Sequence, residues 1–410
     1  MLVSSNGSQH KRRTLIVLHS SAAAGPPQHV FSWLSPLARR GSVVTAVPAA
    51  GTAADLYGTI GRTVVHGYST LTYPRGARAL APYVARFARD VLSLGRLMRA
   101  TRPDLLVVVT SAVPAALVAA RLQRIPTVVF VGEILDKGVV VSRGRSLAAA
   151  ATARLTAKLA DGVVCCSDAV AQQFSPSSTL LVRTIHPGVD GTHGDGDGAR
   201  FRTLHDLGDA APCLAVVGNV TPARGQDLAI RAVARLREEL PGIRCVIAGV
   251  AHPRPGDVAY RHELTALARR LGVEDLVDFV GLVDPIADLY AAADIVINPA
   301  RFNEPFGRVA IEALSAGCAV VAARVGAVPE IVRHGREALL FAPEDDAALA
   351  AAILLLWHDR ELRETLVRQG QRRIAEQFDQ DLAVAAFGDV VEHVVAGAVG
   401  SASFACGGPR

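Results

Sequence analysis

The sequence predicts an α/β fold of two doubly wound domains, and three observations carry that expectation. The chain has 410 residues, more than a single hydrophobic core usually spans. Short β-branched runs alternate with amphipathic stretches along most of it, the pattern of parallel strands joined by crossover helices. Near the middle the alternation breaks at Asp190 to Gly198, a Gly/Asp tract with too little apolar surface to pack, which reads as a mobile connection.

The expected domains are residues 1–190, a linker at 191–205, residues 206–378, a helical run at 379–400 and a disordered tail at 401–410. In the first domain, strands are expected at Thr14 to Leu18, Val43 to Val47, Thr63 to His66, Asp104 to Val109, Pro126 to Val131, Gly162 to Cys165 and Leu180 to Ile185. Helices fall between them at 28–40, 76–101, 113–122, 145–160 and 168–174. In the second, strands at Cys213 to Val217, Ile243 to Ala248, Val277 to Val280, Asp294 to Asn298, Gly317 to Arg324 and Ala338 to Phe341 alternate with amphipathic helices. The run Asp294 to Asn298 is apolar and β-branched, as a strand covered on both faces is.

Composition sets the outer limits. The chain is 50% hydrophobic and 20% charged, so each domain can bury a core. Its net charge of +5 comes from arginine far more than lysine, which suits anionic partners such as nucleotides or acidic lipids. Nucleic acid is not expected, because aromatic stacking platforms are scarce. The six cysteines have no CxxC spacing, and Cys213, Cys245 and Cys318 fall in apolar strands; buried thiols of a reducing compartment fit better than disulfides or zinc. Lys11 to Leu18 has too short an apolar run for a signal peptide. The uncharged run Leu105 to Ala120 is short of a membrane span and carries Pro114.

The chemistry concentrates in the stretch Ile295 to Gly335. A strand runs into a loop bearing Glu304, Pro305, Phe306 and Gly307, and a helix with Glu312 follows Arg308. The figure repeats when the next strand leads through Gly326 to Pro329 into a second helix start. Helix starts at the carboxyl ends of parallel strands collect unpaired N–H groups, a setting for a diphosphate. A second such turn, Gly218 to Asp227, carries Arg224, whose planar fork can hold two phosphate oxygens.

Taken together, Gly218 to Asp227, Asp294 to Pro299, Asn303 to Gly307 with Glu312, and Gly326 to Glu330 resemble the retaining GT-B glycosyltransferases of family four. Members of that family move a sugar from a nucleotide diphosphate to an acceptor. The match spans residues 213–342, and looser strings at Ile125 to Leu135, Asp161 to Ser167 and Pro187 to Asp190 extend it. The resemblance implies a GT-B-like α/β fold, two doubly wound Rossmann-like domains facing a central cleft, acceptor bound by the first and nucleotide sugar by the second, with the last helix returning to the first. It implies that Glu304 touches the donor sugar, Glu312 holds the ribose hydroxyls, and Arg224 neutralises the leaving group. The amides of Phe306, Gly307, Arg308, Val309 and Gly326 would face the diphosphate, Gly218, Asn219 and Gly225 would bind the donor in the turn bearing Arg224, and the base would lie by Gly281.

These roles are physically coherent. Negative charge grows on the diphosphate as the sugar bond breaks, so pre-oriented amides and Arg224 stabilise the transition state more than the ground state. A carboxylate at Glu304 balances positive charge on the sugar. The cation and helix ends replace a metal, so neither a metal nor a cofactor is expected.

Acceptor-side candidates are His19 at the end of the first strand, Gly25 in the loop Ser20 to Pro27, and Glu133. The chain departs from the family at Asn219, where an arginine is usual, at Gly132, where many members carry histidine, and at Gly25, where a glycine pair is common. Those departures support an alternative, a catalytically weak scaffold or regulatory subunit. Arginines 75, 78, 86, 89, 96, 99 and 102, interspersed with Leu, Val and Phe, form a basic amphipathic run, which suits peripheral contact with anionic lipid. The expected setting is cytoplasmic, at the inner membrane face, with a lipid-linked or cell-envelope glycan as acceptor.

Overall fold

A computed structural model describes residues 11–23, 25–71, 77–135, 143–174, 180–190, 194–208 and 212–405. They form two compact units, one of residues 11–135, 143–187 and 381–405, the other of residues 188–380.

The first unit holds β1 (Arg12–Leu18), β2 (Gly41–Val47), β3 (Arg62–Val65), β4 (Leu105–Val109), β5 (Thr127–Val131), β6 (Gly162–Cys165) and β7 (Leu181–Thr184). They pair in parallel in the order β3-β2-β1-β4-β5-β6-β7. Every residue of β4 and β5 is buried, so helices cover both faces. Helix Pro26–Arg40 begins with two prolines, which lack the N–H that a first turn leaves unbonded. Helices Leu80–Thr101 and Pro114–Gln123 end where Arg102 and Arg124 turn left-handed. The last helix, Gln380–Ala405, closes this unit's core: the Phe387 ring lies 5.8 Å from that of Trp33, and Arg12 forks onto Glu392 at 3.0 and 2.8 Å.

The second unit holds β8 (Cys213–Val217), β9 (Arg244–Ala248), β10 (Val277–Gly281), β11 (Ile295–Asn298), β12 (Ala319–Ala323) and β13 (Leu339–Phe341). The sheet is again parallel, ordered β10-β9-β8-β11-β12-β13. In both sheets the order reverses beside a central strand, between β1 and β4 in one and between β8 and β11 in the other. Ligands of open α/β sheets bind at the carboxyl ends of the strands flanking such a reversal.

Two expectations need correction. The linker expected at 191–205 is not free over its described residues, 194–205, because helix Gly198–Leu204 packs inside the second unit with Phe201 buried. A Cβ on Gly196 would stand 2.0 Å from the Ala287 carbonyl oxygen, and one on Gly198 2.4 Å from that of Ala291. These glycines permit close backbone approach, a use that in sequence looks the same as flexibility. Residues 191–193 lie outside the described residues. The tail is helical through Ala405, since its Ala and Ser residues continue the last helix without a breaker; residues 406–410 lie outside the description, as does Arg75. The seven-residue helices Thr52–Gly58 and Ile286–Ala292 had no counterpart in the sequence reading. Cysteines 165, 166, 213, 245 and 318 are buried thiols, none of them in a disulfide. Among the described residues no helix is long and apolar enough to cross a membrane.

Candidate functional site

The reversal in the second sheet brings two loops together. The loop leaving β8 passes Gly218 and a 3-10 turn at Pro222–Arg224, then enters helix Gln226–Leu236 at Gly225. Gly225 is left-handed, and a Cβ there would meet the Pro299 carbonyl oxygen at 2.1 Å, so only glycine lets this turn close on the neighbouring loop. The loop leaving β11 carries Arg301, Phe302 and Glu304. Arg224 Nη1 donates to Glu304 Oε2 at 2.8 Å, and its guanidinium lies 5.2 Å from the Phe302 ring centroid.

Glu304 is 6% exposed. Burial pushes its carboxyl above the ordinary range, and the Arg224 charge opposes that rise. Its backbone is held by the turn after β12, where the Ala327 N–H donates to the Glu304 carbonyl at 2.9 Å. Beyond Glu304, Phe306 is buried and left-handed Gly307 opens helix Arg308–Ser315. The first N–H groups of a helix have no partner within it, which makes this start a place for an anion beside Arg224.

Glu312, in the second turn of that helix, is also buried, but it is held by other neighbours. Its Oε2 accepts from the Tyr290 hydroxyl at 2.8 Å and its Oε1 from Arg308 Nε. The structure therefore joins Arg224 to Glu304 directly and places Glu312 in a separate pairing on the following helix. Asn219 Nδ2 lies 3.0 Å from His252 Nε2, and its carbonyl accepts from Gln226 at 3.0 Å. Gly281, left-handed at the end of β10, accepts at its carbonyl from the Gly249 N–H at 2.7 Å.

In the first unit, His19 follows β1 at the sheet's reversal, with Nδ1 3.2 Å from the Val109 carbonyl oxygen. Gly25 is the left-handed residue that starts helix Pro26–Arg40. Glu133, after β5, is tied into the scaffold: Oε1 accepts from Thr110 Oγ1 at 2.6 Å, Ser111 Oγ at 2.6 Å and Ser111 N at 2.9 Å. Thr110 sits at φ 104, a conformation costly for a β-branched residue, and these bonds anchor it. A Cβ on Gly132 would come within 2.9 Å of the Phe130 ring; the packing of this chain leaves no room for a side chain there.

Three residues of this region have no place in the sequence reading. Arg301 forks onto Asp227, Tyr260 donates to Asp227, and Tyr290 holds Glu312. Each bond joins residues far apart in sequence, so no local motif announced it. Among the described residues no three His, Cys, Asp or Glu side chains are grouped to hold a metal.

Residues 23–192 match the family described as Glycosyltransferase Family 4, and residues 201–373 match Glycosyl transferases group 1. A D-inositol 3-phosphate glycosyltransferase of Catenulispora acidiphila is 38% identical over 217 residues, 49% of this chain and 50% of that protein. One of Streptomyces bingchenggensis is 36% identical over 225 residues, 53% of this chain and 49% of that protein. The chain thus spans about half the length of the curated relatives it matches. Among solved structures, Anabaena HepE in complex with UDP-glucose superposes with TM-score 0.77 at 22% identity, covering 93% of this chain and all of that one. Sucrose-phosphate synthase of Thermosynechococcus elongatus superposes with TM-score 0.77 at 21% identity, covering 94% and 100%. At such identities these likenesses establish the fold, GT-B with two Rossmann-like domains.

Proposed function

This chain belongs to the family 4, group 1 glycosyltransferases, and from that premise we infer that it moves a sugar from a nucleotide diphosphate to an acceptor with retention of configuration. The observation that carries the reading is the Arg224–Glu304 pair, a permanent cation on a buried carboxylate at the sheet reversal. Arg224 turns to the diphosphate as the sugar bond breaks and offsets the charge that develops on the leaving group. Glu304, released from the cation, faces the positive charge growing on the sugar. Glu312, fixed by Tyr290, takes the ribose hydroxyls; the amides of Phe306 to Val309 and Gly326 take the phosphates. We assign acceptor recognition to the carboxyl ends of β1, β4 and β5, where His19, Gly25 and Glu133 lie. No metal is required, because Arg224 and the helix start supply the positive field.

The relatives named for D-inositol 3-phosphate make a phosphorylated polyol the first acceptor to test, beside lipid-linked and envelope glycans. HepE binds UDP-glucose, so uridine diphosphate sugars head the donor panel. The test is donor consumption over that panel by the parent chain and by Glu304→Gln. Turnover by the parent alone supports the reading. No turnover with any donor and acceptor pair supports the scaffold alternative, to which Asn219, a neutral side chain lying against His252, gives some weight.

Membrane contact is a further part of the proposal. On helix Leu80–Thr101, Leu80, Val84 and Leu92 are 53%, 55% and 58% exposed, flanked by exposed Arg86, Arg89 and Arg96. Exposed aliphatics on one helix among guanidinium groups fit the headgroup region of an anionic bilayer. Flotation with vesicles containing acidic lipid supports it; a protein that stays in solution contradicts it.

A further inference from the structure

We propose that Arg301 is a positioning residue that sets Arg224 against Glu304, an inference that rests on the sugar-transfer reading above. Arg301 stands three residues before Glu304 in the loop leaving β11. Its contacts run to the other loop, and they bracket Arg224. Ahead of Arg224, the Arg301 N–H donates to the Ala223 carbonyl at 2.8 Å and Nη1 reaches that of Pro222 at 3.3 Å. Behind it, Nη1 and Nη2 donate to the two oxygens of Asp227 at 2.5 and 2.7 Å. Asp227 lies in the first turn of helix Gln226–Leu236, two residues after Gly225.

Asp227 is itself braced. The Tyr260 hydroxyl donates to Oδ1 at 2.6 Å and accepts from the Asp227 N–H at 3.3 Å. Arg301 Nε reaches Glu344, so the guanidinium is engaged on every side. A bidentate fork fixes both the distance and the plane of its two partners, which a lysine ammonium does not. Arg301 therefore joins the loop that carries Glu304 to the segments on both sides of Arg224. Without the fork the two reactive side chains would still be present, and the Arg301 N–H would still meet Ala223, but the side-chain tie from this loop to Asp227 behind Arg224 would be gone.

The consequence is specific to the chemical step. If Arg224 meets the diphosphate mainly in the transition state, a small misplacement lowers kcat and leaves donor KM nearly unchanged. Misplacements of about 1 Å can cost about 100-fold.

The test is steady-state turnover of a nucleotide sugar by Arg301→Lys, with melting temperature measured on the same sample. We expect kcat to fall about tenfold or more, with little change in donor KM, at an assay temperature well below the variant's melting transition; the transition itself moves down, because the fork on Asp227 also holds the fold. In an Arg224→Met background, Arg301→Lys should add no further loss, because both act through the same group. Should Arg301→Lys not fold, Tyr260→Phe loosens Asp227 with the fork intact and should give the same split at smaller size. A kcat equal to the parent's, a loss that merely follows melting temperature, or losses that multiply in the double variant each overturn the proposal. If the parent turns over no donor, the sugar-transfer reading fails first and this inference falls with it; an active parent matched by Arg301→Lys sinks the inference alone.

Discussion

Gly326 lies against the backbone of Glu304 so closely that a methyl group on it would stand 2.2 Å from the Glu304 carbonyl oxygen and 2.4 Å from its nitrogen. The contact explains how the loop after β11 presents a buried carboxylate to Arg224: the turn after β12 supports it from behind.

Gly326→Ala should therefore disable the site. The residue sits at φ 50, and a side chain held in a sparsely populated conformation costs about 1–3 kcal/mol before the overlap is counted. A thermal melt should move down and turnover should fall sharply. An alanine variant with parental activity would show that Glu304 is held some other way.

Tyr290→Phe separates binding from chemistry. It removes the hydroxyl that donates to Glu312 at 2.8 Å, leaving a buried acceptor short of a donor at about 1–3 kcal/mol. If Glu312 grips the ribose, ground state and transition state lose alike, so donor KM rises and kcat holds. A fall in kcat at constant KM would argue that Glu312 serves the reacting sugar instead.

The pH dependence of stability should carry two opposite signs. Burial pushes the Asp227 carboxyl up, but the Arg301 fork and the Tyr260 hydroxyl outweigh it and hold the group below its ordinary range. Its contribution is present above the unfolded value near ~4 and is lost as pH falls through the folded one. Glu304 is raised, by burial against Arg224; its contribution is present below the ordinary value of about 4.3 and is lost as pH rises through the folded one. Melting curves of Asp227→Asn should show a flatter acid limb. Those of Glu304→Gln should gain on the parent as pH rises above about 4, and parallel curves would refute the assignment.

Chelation with EDTA should leave turnover unchanged, since Arg224 supplies the cation that a metal gives other phosphate-handling sites. Restoration by added divalent ion after a loss would put a metal at the diphosphate.

The strands were legible because covered parallel strands are unbroken β-branched runs, as Leu105–Val109 and Thr127–Val131 illustrate. The pairing of Arg224 with Glu304 could be anticipated because each lies in a strand–loop–helix figure with its own residue pattern. Arg301 could not, since its partner Asp227 is 74 residues away and a surface loop arginine has no pattern of its own. The Gly/Asp tract misled for a related reason. At Gly196 and Gly198 the missing side chain makes room for another backbone, and only the partner chain segment reveals that.

The most direct test of the central claim is the affinity of the chain for paired nucleotides, UDP against UMP and GDP against GMP, measured calorimetrically for the parent and for Arg224→Met. A charge-assisted contact to the outer phosphate is worth about 1.5–3 kcal/mol, so the parent should favour one of the diphosphates by about 10- to 100-fold, and Arg224→Met should lose that preference. A diphosphate preference equally strong without Arg224, or none in the parent, would contradict the account.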